Sequence, residues 1–293
     1  MNHEVTLLLA LALLAQAPEP DQPDPSPPRE VRLGAPVVEV PLLRISERPA
    51  VEVLVDGQGP FRFGIETGAR FVALAPRVAE KLGLAGESFR LKGIKIGEAR
   101  FLDLPAAPAR FADDRIDGIL GLPLYEDLLL TIDYPGAKVR FERGALPPAD
   151  GKSILPMKRA GPFWAVPVDV AGVKMQAILD TRASGTLGVV PKTAEKLSFA
   201  APPVVIGMAR GAAIPEVPVK LARLKGDLHL GAITFQKPVV GIRPLPPHFP
   251  EEPLLGSAAL GQMVVTLDQK SATVRFSRPA GAVVPPPPPF RGE

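Results

Sequence analysis

The chain has 293 residues, 46% of them hydrophobic, which suits one large two-lobed domain or two lobes of about 100 residues each. The 34 basic and 31 acidic residues give a formal charge of +3, and no basic stripe with interleaved aromatic residues indicates nucleic-acid binding. The absence of cysteine excludes disulfides and thiolate metal sites, and His3, His229 and His248 lack ligand spacing. We therefore expect no metal and no other cofactor.

The first 17 residues have the pattern of an export signal. The apolar run Val5–Leu14 precedes Ala15-Gln16-Ala17, which fits a small-residue cleavage site, and the run is too short to span a bilayer. Glu4 replaces the usual basic residues and Pro18 follows the cut, which leaves an uncleaved N-terminal anchor as the alternative. We expect a periplasmic or secreted protein with no transmembrane span.

Proline-rich segments divide the rest of the chain. We predict a linker at residues 18–43, a first lobe at 44–146, an inter-lobe linker at 147–160, a second lobe at 161–279 and a tail at 280–293. The run Pro285–Pro289 in the tail either forms a polyproline helix that docks to a partner or stays unstructured.

The two lobes repeat one pattern. The segment Ala79-Glu80-Lys81-Leu82 recurs as Ala194-Glu195-Lys196-Leu197, each after a proline that suits the start of a short helix. In the last hairpin, Leu130-Thr131-Ile132-Asp133 recurs as Val265-Thr266-Leu267-Asp268. Short β-type runs with turn signals surround these segments, which is typical of an all-β, barrel-like lobe. The sequence therefore predicts an internal duplication.

Each copy contains an acidic loop and a later apolar element that ends in glycine. The loops read Gly64-Ile65-Glu66-Thr67-Gly68-Ala69-Arg70 and Ile178-Leu179-Asp180-Thr181-Arg182-Ala183-Ser184, and the later elements read Ile119-Leu120-Gly121 and Leu254-Leu255-Gly256. The pattern resembles the aspartic peptidases, specifically the bacterial retropepsin-like group. That motif is two apolar residues, then Asp-Thr-Gly-Ala-Ser/Thr, with an apolar-apolar-Gly element further on. The resemblance covers nearly the whole chain between the two tails.

The resemblance implies an acid-protease fold, with two β-barrel lobes related by a pseudo-twofold axis and short helices. In that family two carboxylates about 3 Å apart share one proton, so that one activates a water and the other protonates the substrate. The residues that the resemblance assigns are the catalytic pair Asp180 and Glu66, the loop-locking Thr67 and Thr181, and the motif glycines Gly68, Gly121 and Gly256.

Both loops depart from the family pattern. Glu66 replaces an aspartate, and a misplacement of about 1 Å costs on the order of 100-fold in rate. Arg182 replaces a glycine, and we expect it to favour the ionised form of Asp180 and to strain the backbone. Arg70 adds a second cation. Either Arg70 and Arg182 point into solvent, or Arg182 pairs with Glu66 and turns the dyad into an ion pair.

The second copy also contains an insert at Ala201–Arg223. Its β-type runs, with Gly207 and Gly211 between them, predict a hairpin with a mobile, glycine-bearing tip that the first copy lacks. In the family the substrate-covering flap lies here, and the alternative is an ordinary exposed hairpin.

Two functions follow from these patterns. The first is an exported aspartic-type endopeptidase that cuts peptide bonds through the Glu66/Asp180 pair and an activated water. The second is a catalytically inactive relative that binds a peptide or protein partner in the inter-lobe cleft. The intact Thr67-Gly68 and Asp180-Thr181 pairs and the flap favour the first, whereas Glu66, Arg70 and Arg182 favour the second.

Overall fold

The computed structural model describes residues 26–211, 214–245, 249–278 and 284–290. Strands dominate them, which confirms the predicted all-β, two-lobed fold with short helices. The first half contains β1 (Glu30–Leu33), β2 (Val37–Pro41), β3 (Leu43–Ile45), β4 (Arg48–Val55), β5 (Gln58–Glu66), β6 (Val72–Leu74), α1 (Pro76–Lys81), β7 (Phe89–Ile96), β8 (Ala99–Pro108), β9 (Gly118–Gly121), a 3₁₀ turn (Leu122–Tyr125), β10 (Leu129–Asp133) and β11 (Lys138–Glu142).

The second half repeats this order of parts. It contains β12 (Ile154–Pro156), β13 (Lys158–Ala160), β14 (Phe163–Val170), β15 (Val173–Leu179), β16 (Leu187–Val189), α2 (Pro191–Ala194), β17 (Val204–Gly211), β18 (Ile214–Arg223), β19 (Leu228–Leu230), β20 (Ile233–Phe235), β21 (Val239–Ile242), β22 (Leu254–Leu255), α3 (Ser257–Leu260), β23 (Val264–Asp268) and β24 (Thr273–Ser277).

Each lobe is built on one large sheet with the same internal pairing. The first lobe has the strand order β1-β8-β6-β9-β5-β4-β3, and β7 pairs with β4 and β8. The second has the order β17-β18-β21-β16-β22-β15-β14-β19-β20, and β13 pairs with β14. Alternating apolar residues such as Val51, Val53 and Val55 of β4 are buried, as expected for strands with one face on a core. In both lobes the strand that enters the acidic loop, β5 or β15, pairs in parallel with a second apolar strand, β9 or β22. That second strand leads to Gly121 or Gly256, which we call the closing glycines.

A third sheet joins the two lobes. Its strand order is β12-β24-β23-β10-β11-β2, so each lobe contributes three strands in mirrored order about the central β10–β23 pair. At the centre Thr131 lies opposite Thr266, and their buried hydroxyls are 2.9 Å apart. The lobes are therefore held in one register by backbone hydrogen bonds, and this register positions the two acidic loops.

Several segments expected as linkers are strands. In the 18–43 segment β1 pairs with β8, and β2 pairs with β11 through the alternating Val-Val-Glu-Val pattern of residues 37–40. In the 147–160 segment β12 pairs with β24, and β13 pairs with β14. Part of the proline-rich tail is also docked, since Val284 is buried and forms a bridge with Phe235. The signal-peptide segment 1–17 lies outside the described residues.

Candidate functional site

Thr67 and Thr181 lock the two acidic loops together across the lobe interface. The Thr181 hydroxyl accepts a hydrogen bond from the Thr67 N–H at 3.1 Å and donates one to the Ile65 carbonyl at 2.7 Å. The Thr67 hydroxyl accepts one from the Thr181 N–H at 3.0 Å and donates one to the Leu179 carbonyl at 2.7 Å. Because both threonines are buried, this reciprocal set satisfies four backbone groups and fixes the loops relative to each other.

Gly121 and Gly256 allow the closing strands to pass behind the loops. A Cβ on Gly121 would lie 2.8 Å from the Ala69 carbonyl oxygen, and one on Gly256 would lie 2.6 Å from the Ala183 carbonyl oxygen. Real Cβ atoms do not approach backbone oxygens so closely, so both positions require glycine. The two lobes thus support their loops by the same close approach.

The two carboxylates lie beside this lock and have different partners. Asp180 is 5% exposed, and its Oδ1 accepts hydrogen bonds from the backbone N–H of Arg182 at 2.9 Å and of Ala183 at 3.1 Å. In the first loop the corresponding N–H, that of Ala69, instead donates to the backbone carbonyl of Glu66 at 3.1 Å. The backbone N–H groups of the second loop therefore orient the Asp180 carboxylate, whereas the equivalent N–H of Ala69 donates to a backbone carbonyl.

The Glu66 carboxylate is held by Arg182 from the opposite lobe. Arg182 Nη1 donates to Glu66 Oε2 at 3.3 Å, and the two side chains are 17% and 7% exposed. Arg182 is therefore not a solvated side chain, whereas Arg70 is exposed. The expected backbone strain is wrong, because neither Gly68 nor Arg182 has a positive φ. The backbone at this position therefore accepts a residue with a side chain.

Burial and three nearby charges together set the proton affinity of Glu66. Burial raises the pKa of Glu66 above its ordinary value of 4.5, and the nearby Asp180 raises it further. The guanidinium groups of Arg182 and Arg48 oppose this shift without reversing it. The attraction of the two guanidinium groups is therefore smaller than the free-energy cost of removing the ionised carboxylate from water, as is common for buried pairs.

Two arginines that the sequence analysis missed complete the site. Arg48 begins β4 and is partly buried, and its charge acts on Glu66, Asp180 and Arg182. Arg243 directly follows β21, is 7% exposed and is near enough to Asp180 and Arg182 for their charges to act on it. Burial lowers the pKa of both arginines. Neither belongs to a motif, but an alignment of the two repeats would have flagged Arg243, because the first lobe has Ala109 in its place.

The insert forms a hairpin of β17 and β18 whose described strands leave out residues 212 and 213. Gly211 ends β17 next to the turn, whereas Gly207 lies inside β17 opposite Val219, where the register shifts. Gly207 therefore belongs to a bulge and not to the tip. In the first lobe no strand lies between α1 and β7, within a stretch that is fully described. The hairpin is thus a feature of the second lobe.

The described residues contain neither a cluster of metal-ligand side chains nor a membrane-spanning helix. Across residues 26–211, 214–245, 249–278 and 284–290, no three His, Asp or Glu side chains group as metal ligands would. Within those ranges no helix has both the length and the apolar character to cross a membrane.

A solved structure of a retropepsin-like aspartic protease from Rickettsia conorii is similar to this chain at 21% identity. The match has a TM-score of 0.30 and covers 37% of this chain and 94% of that chain, a similarity too low to assign an activity. No protein-family model matches this chain, and no curated protein does.

Proposed function

We propose that this protein binds a peptide or protein partner between its two lobes without cleaving it. The observation that carries the proposal is the 3.3 Å contact between Arg182 Nη1 and Glu66 Oε2. A carboxylate dyad works because two close carboxyl groups share one proton and hold a water between them. Here one of the two carboxylates is engaged by a cation at the position where the family motif has glycine.

The hydrogen bonds and charges around Asp180 support the same conclusion. Its Oδ1 is already occupied by two backbone N–H groups, and the charges of Arg182 and Arg243 lie nearby. The intact threonine lock and closing glycines keep the loops in place, so the site retains its shape while its charge pattern differs from that of a dyad.

The test is the fate of bound peptides. The purified protein is incubated with a mixture of unstructured peptides at pH 7, complexes are separated by size exclusion, and the retained peptides are identified by mass spectrometry. We expect a subset of peptides to be retained at full length. Retention by neither the wild type nor an Asp180→Asn variant would overturn a binding role.

A weak aspartic-type endopeptidase is the second candidate, and the state of Glu66 favours it. Because burial raises the pKa of Glu66, this residue keeps its proton at a higher pH than an exposed glutamate does. A carboxyl group that keeps its proton can act as the general acid of such a pair. Retained peptides that are shortened by the wild type, but intact with Asp180→Asn, would favour this candidate.

We further propose that the protein is exported and arose by duplication of one lobe. Export rests on the apolar run Val5–Leu14 and the small residues that follow it, and duplication rests on the repeated segments and their matching strand order. N-terminal sequencing of the protein from the cell envelope tests the first. A mature terminus after residue 17 is expected, and an intact Met1 would contradict cleavage.

A further inference from the structure

Arg243 is a buried cation with an unused donor. Its side chain is 7% exposed, and within the described ranges its Nη2 has no hydrogen-bond acceptor although that atom is shielded from solvent. A buried donor without a partner is rare in folded proteins and is costly when it is charged. Such a group therefore points to a ligand that is missing from the protein alone.

The fold itself does not require an arginine at this position. The Arg243 N–H donates to the Val189 carbonyl at 3.1 Å, and the Ala109 N–H donates to the Leu74 carbonyl at 2.8 Å. Both residues directly follow a strand that pairs in parallel with the strand after the acidic loop. The two positions are therefore equivalent, and the first lobe fills its copy with a small apolar side chain.

The charges around Arg243 leave the site cationic. Arg48, Arg182 and Arg243 act on the two carboxylates Glu66 and Asp180, so with all five groups ionised the excess is 3 − 2 = +1. Protonation of Glu66 increases that excess. Asp113 also acts on Arg48, but its carboxylate is paired with Arg115 at 2.7 Å. These five groups thus carry a net positive charge when all are ionised.

We propose that Arg243, together with Arg48 and Arg182, binds a carboxylate of the ligand beside Asp180. A guanidinium presents parallel N–H donors that match the two oxygens of a carboxylate, and a monoanion balances an excess of one positive charge. The neighbouring Glu66 and Asp180 disfavour a more highly charged phosphate. This inference deepens the proposed binding function, on which it rests, because the carboxylate comes from the C-terminus or an acidic side chain of a bound peptide.

The first experiment uses a free carboxylate as the probe. Thermal unfolding is followed at constant ionic strength as sodium acetate replaces sodium chloride, because a ligand of the folded state raises the Tm. We expect acetate to raise the Tm of the wild type and of the exposed control variant Arg100→Ala, but not that of Arg243→Ala. Without acetate, Arg243→Ala should be at least as stable as the wild type, since it removes an unpaired buried charge. An equal acetate response in Arg243→Ala and wild type would overturn the inference.

The second experiment separates this inference from the proposed function. Affinities are measured for retained peptides with a free or an amidated C-terminus and with acidic residues replaced by amides. Loss of the critical carboxylate, or Arg243→Ala, should weaken binding by on the order of tenfold or more. Equal binding of every peptide form by both proteins would contradict the proposed carboxylate site but not the proposed peptide binding. An acetate response that depends on Arg243, without binding of any peptide, would support the site and refute the peptide-binding function.

Discussion

Gly68 and Arg182 occupy equivalent positions in the two acidic loops, and each faces the carboxylate of the other lobe. A Cβ on Gly68 would lie 3.5 Å from Asp180 Oδ1, and Arg182 reaches across to Glu66 Oε2 at 3.3 Å. The glycine leaves space beside Asp180, whereas the arginine fills the corresponding space with a cation. This one substitution changes the charge pattern of an interface that is otherwise closely symmetric.

The threonine lock, the reciprocal hydrogen bonds of Thr67 and Thr181, should contribute to the free energy of unfolding. Thr67→Val keeps the volume but leaves the Thr181 N–H and the Leu179 carbonyl without their partner, so we expect a loss of about 2–4 kcal/mol in the free energy of unfolding. Urea denaturation measures it. The control is the double variant Thr131→Val/Thr266→Val, whose hydroxyls bond each other, and which should be nearly neutral. Equal losses in both would contradict this account.

The closing glycines should tolerate no side chain. In Gly256→Ala the added Cβ would lie 2.5 Å from the Gly185 carbonyl oxygen, and relief requires movement of the backbone. We expect a loss of about 1–3 kcal/mol in the free energy of unfolding. In the matched control Gly188→Ala the nearest atom lies at 3.6 Å, so no loss is expected. If Gly256→Ala proved as stable as Gly188→Ala, the strand would not pass as closely as described.

Glu66 should make stability fall as pH rises. Because its pKa is raised above 4.5, the folded state binds the Glu66 proton more tightly than the unfolded state does. The contribution is fully present below pH 4.5 and is lost as pH rises through the folded-state pKa. In Glu66→Gln this fall is absent, so its free energy of unfolding, measured from pH 3 to 8, should decline less above pH 4.5 than that of the wild type.

The charges that face Glu66 provide a second arm of this experiment. Arg182 and Arg48 lower the pKa of Glu66, whereas Asp180 raises it. Arg182→Met removes one of the opposing cations, so the fall in stability should extend to higher pH than in the wild type. Parallel pH profiles for the wild type, Glu66→Gln and Arg182→Met would show that Glu66 is not buried as described.

Cleavage should appear when the family motif is restored. Glu66→Asp with Arg182→Gly shortens one carboxylate and removes the cation, so the pair can share a proton and hold a water. We expect this double variant to cut peptides on the order of 100-fold faster than the wild type, and each single variant to gain less, because the two residues act on one unit. Adding Asp180→Asn should abolish the gain. A gain that survives Asp180→Asn would have another source.

The loops and the general fold could be predicted because they carry local patterns. Repeated segments placed Glu66, Thr67, Asp180 and Thr181 in equivalent contexts, and short alternating runs indicated an all-β chain. The strands β1, β2, β12 and β13 were missed because nearby prolines dominated the composition of their segments. Their apolar alternation was present but short, and it becomes a strand only through pairing with the lobes.

The arginines of the site could not be predicted in the same way. Arg48 and Arg243 belong to no motif, and they lie near Asp180 only because the fold brings their strands to the acidic loops. The strain expected at Arg182 was wrong because the loop backbone does not adopt a positive φ there. Sequence patterns identify which loops meet, whereas the charges around them depend on tertiary contacts.

The most direct test of the central claim is cleavage by the unaltered protein. Wild type and Asp180→Asn are incubated with a mixed peptide substrate between about pH 3 and 7, the range in which carboxylates titrate, and products are quantified by mass spectrometry. We predict that the two proteins give the same negligible cleavage at every pH, because Arg182 contacts the Glu66 carboxyl group and occupies the place that glycine has in the family motif. Robust cleavage by the wild type that disappears in Asp180→Asn would contradict this and identify an active peptidase.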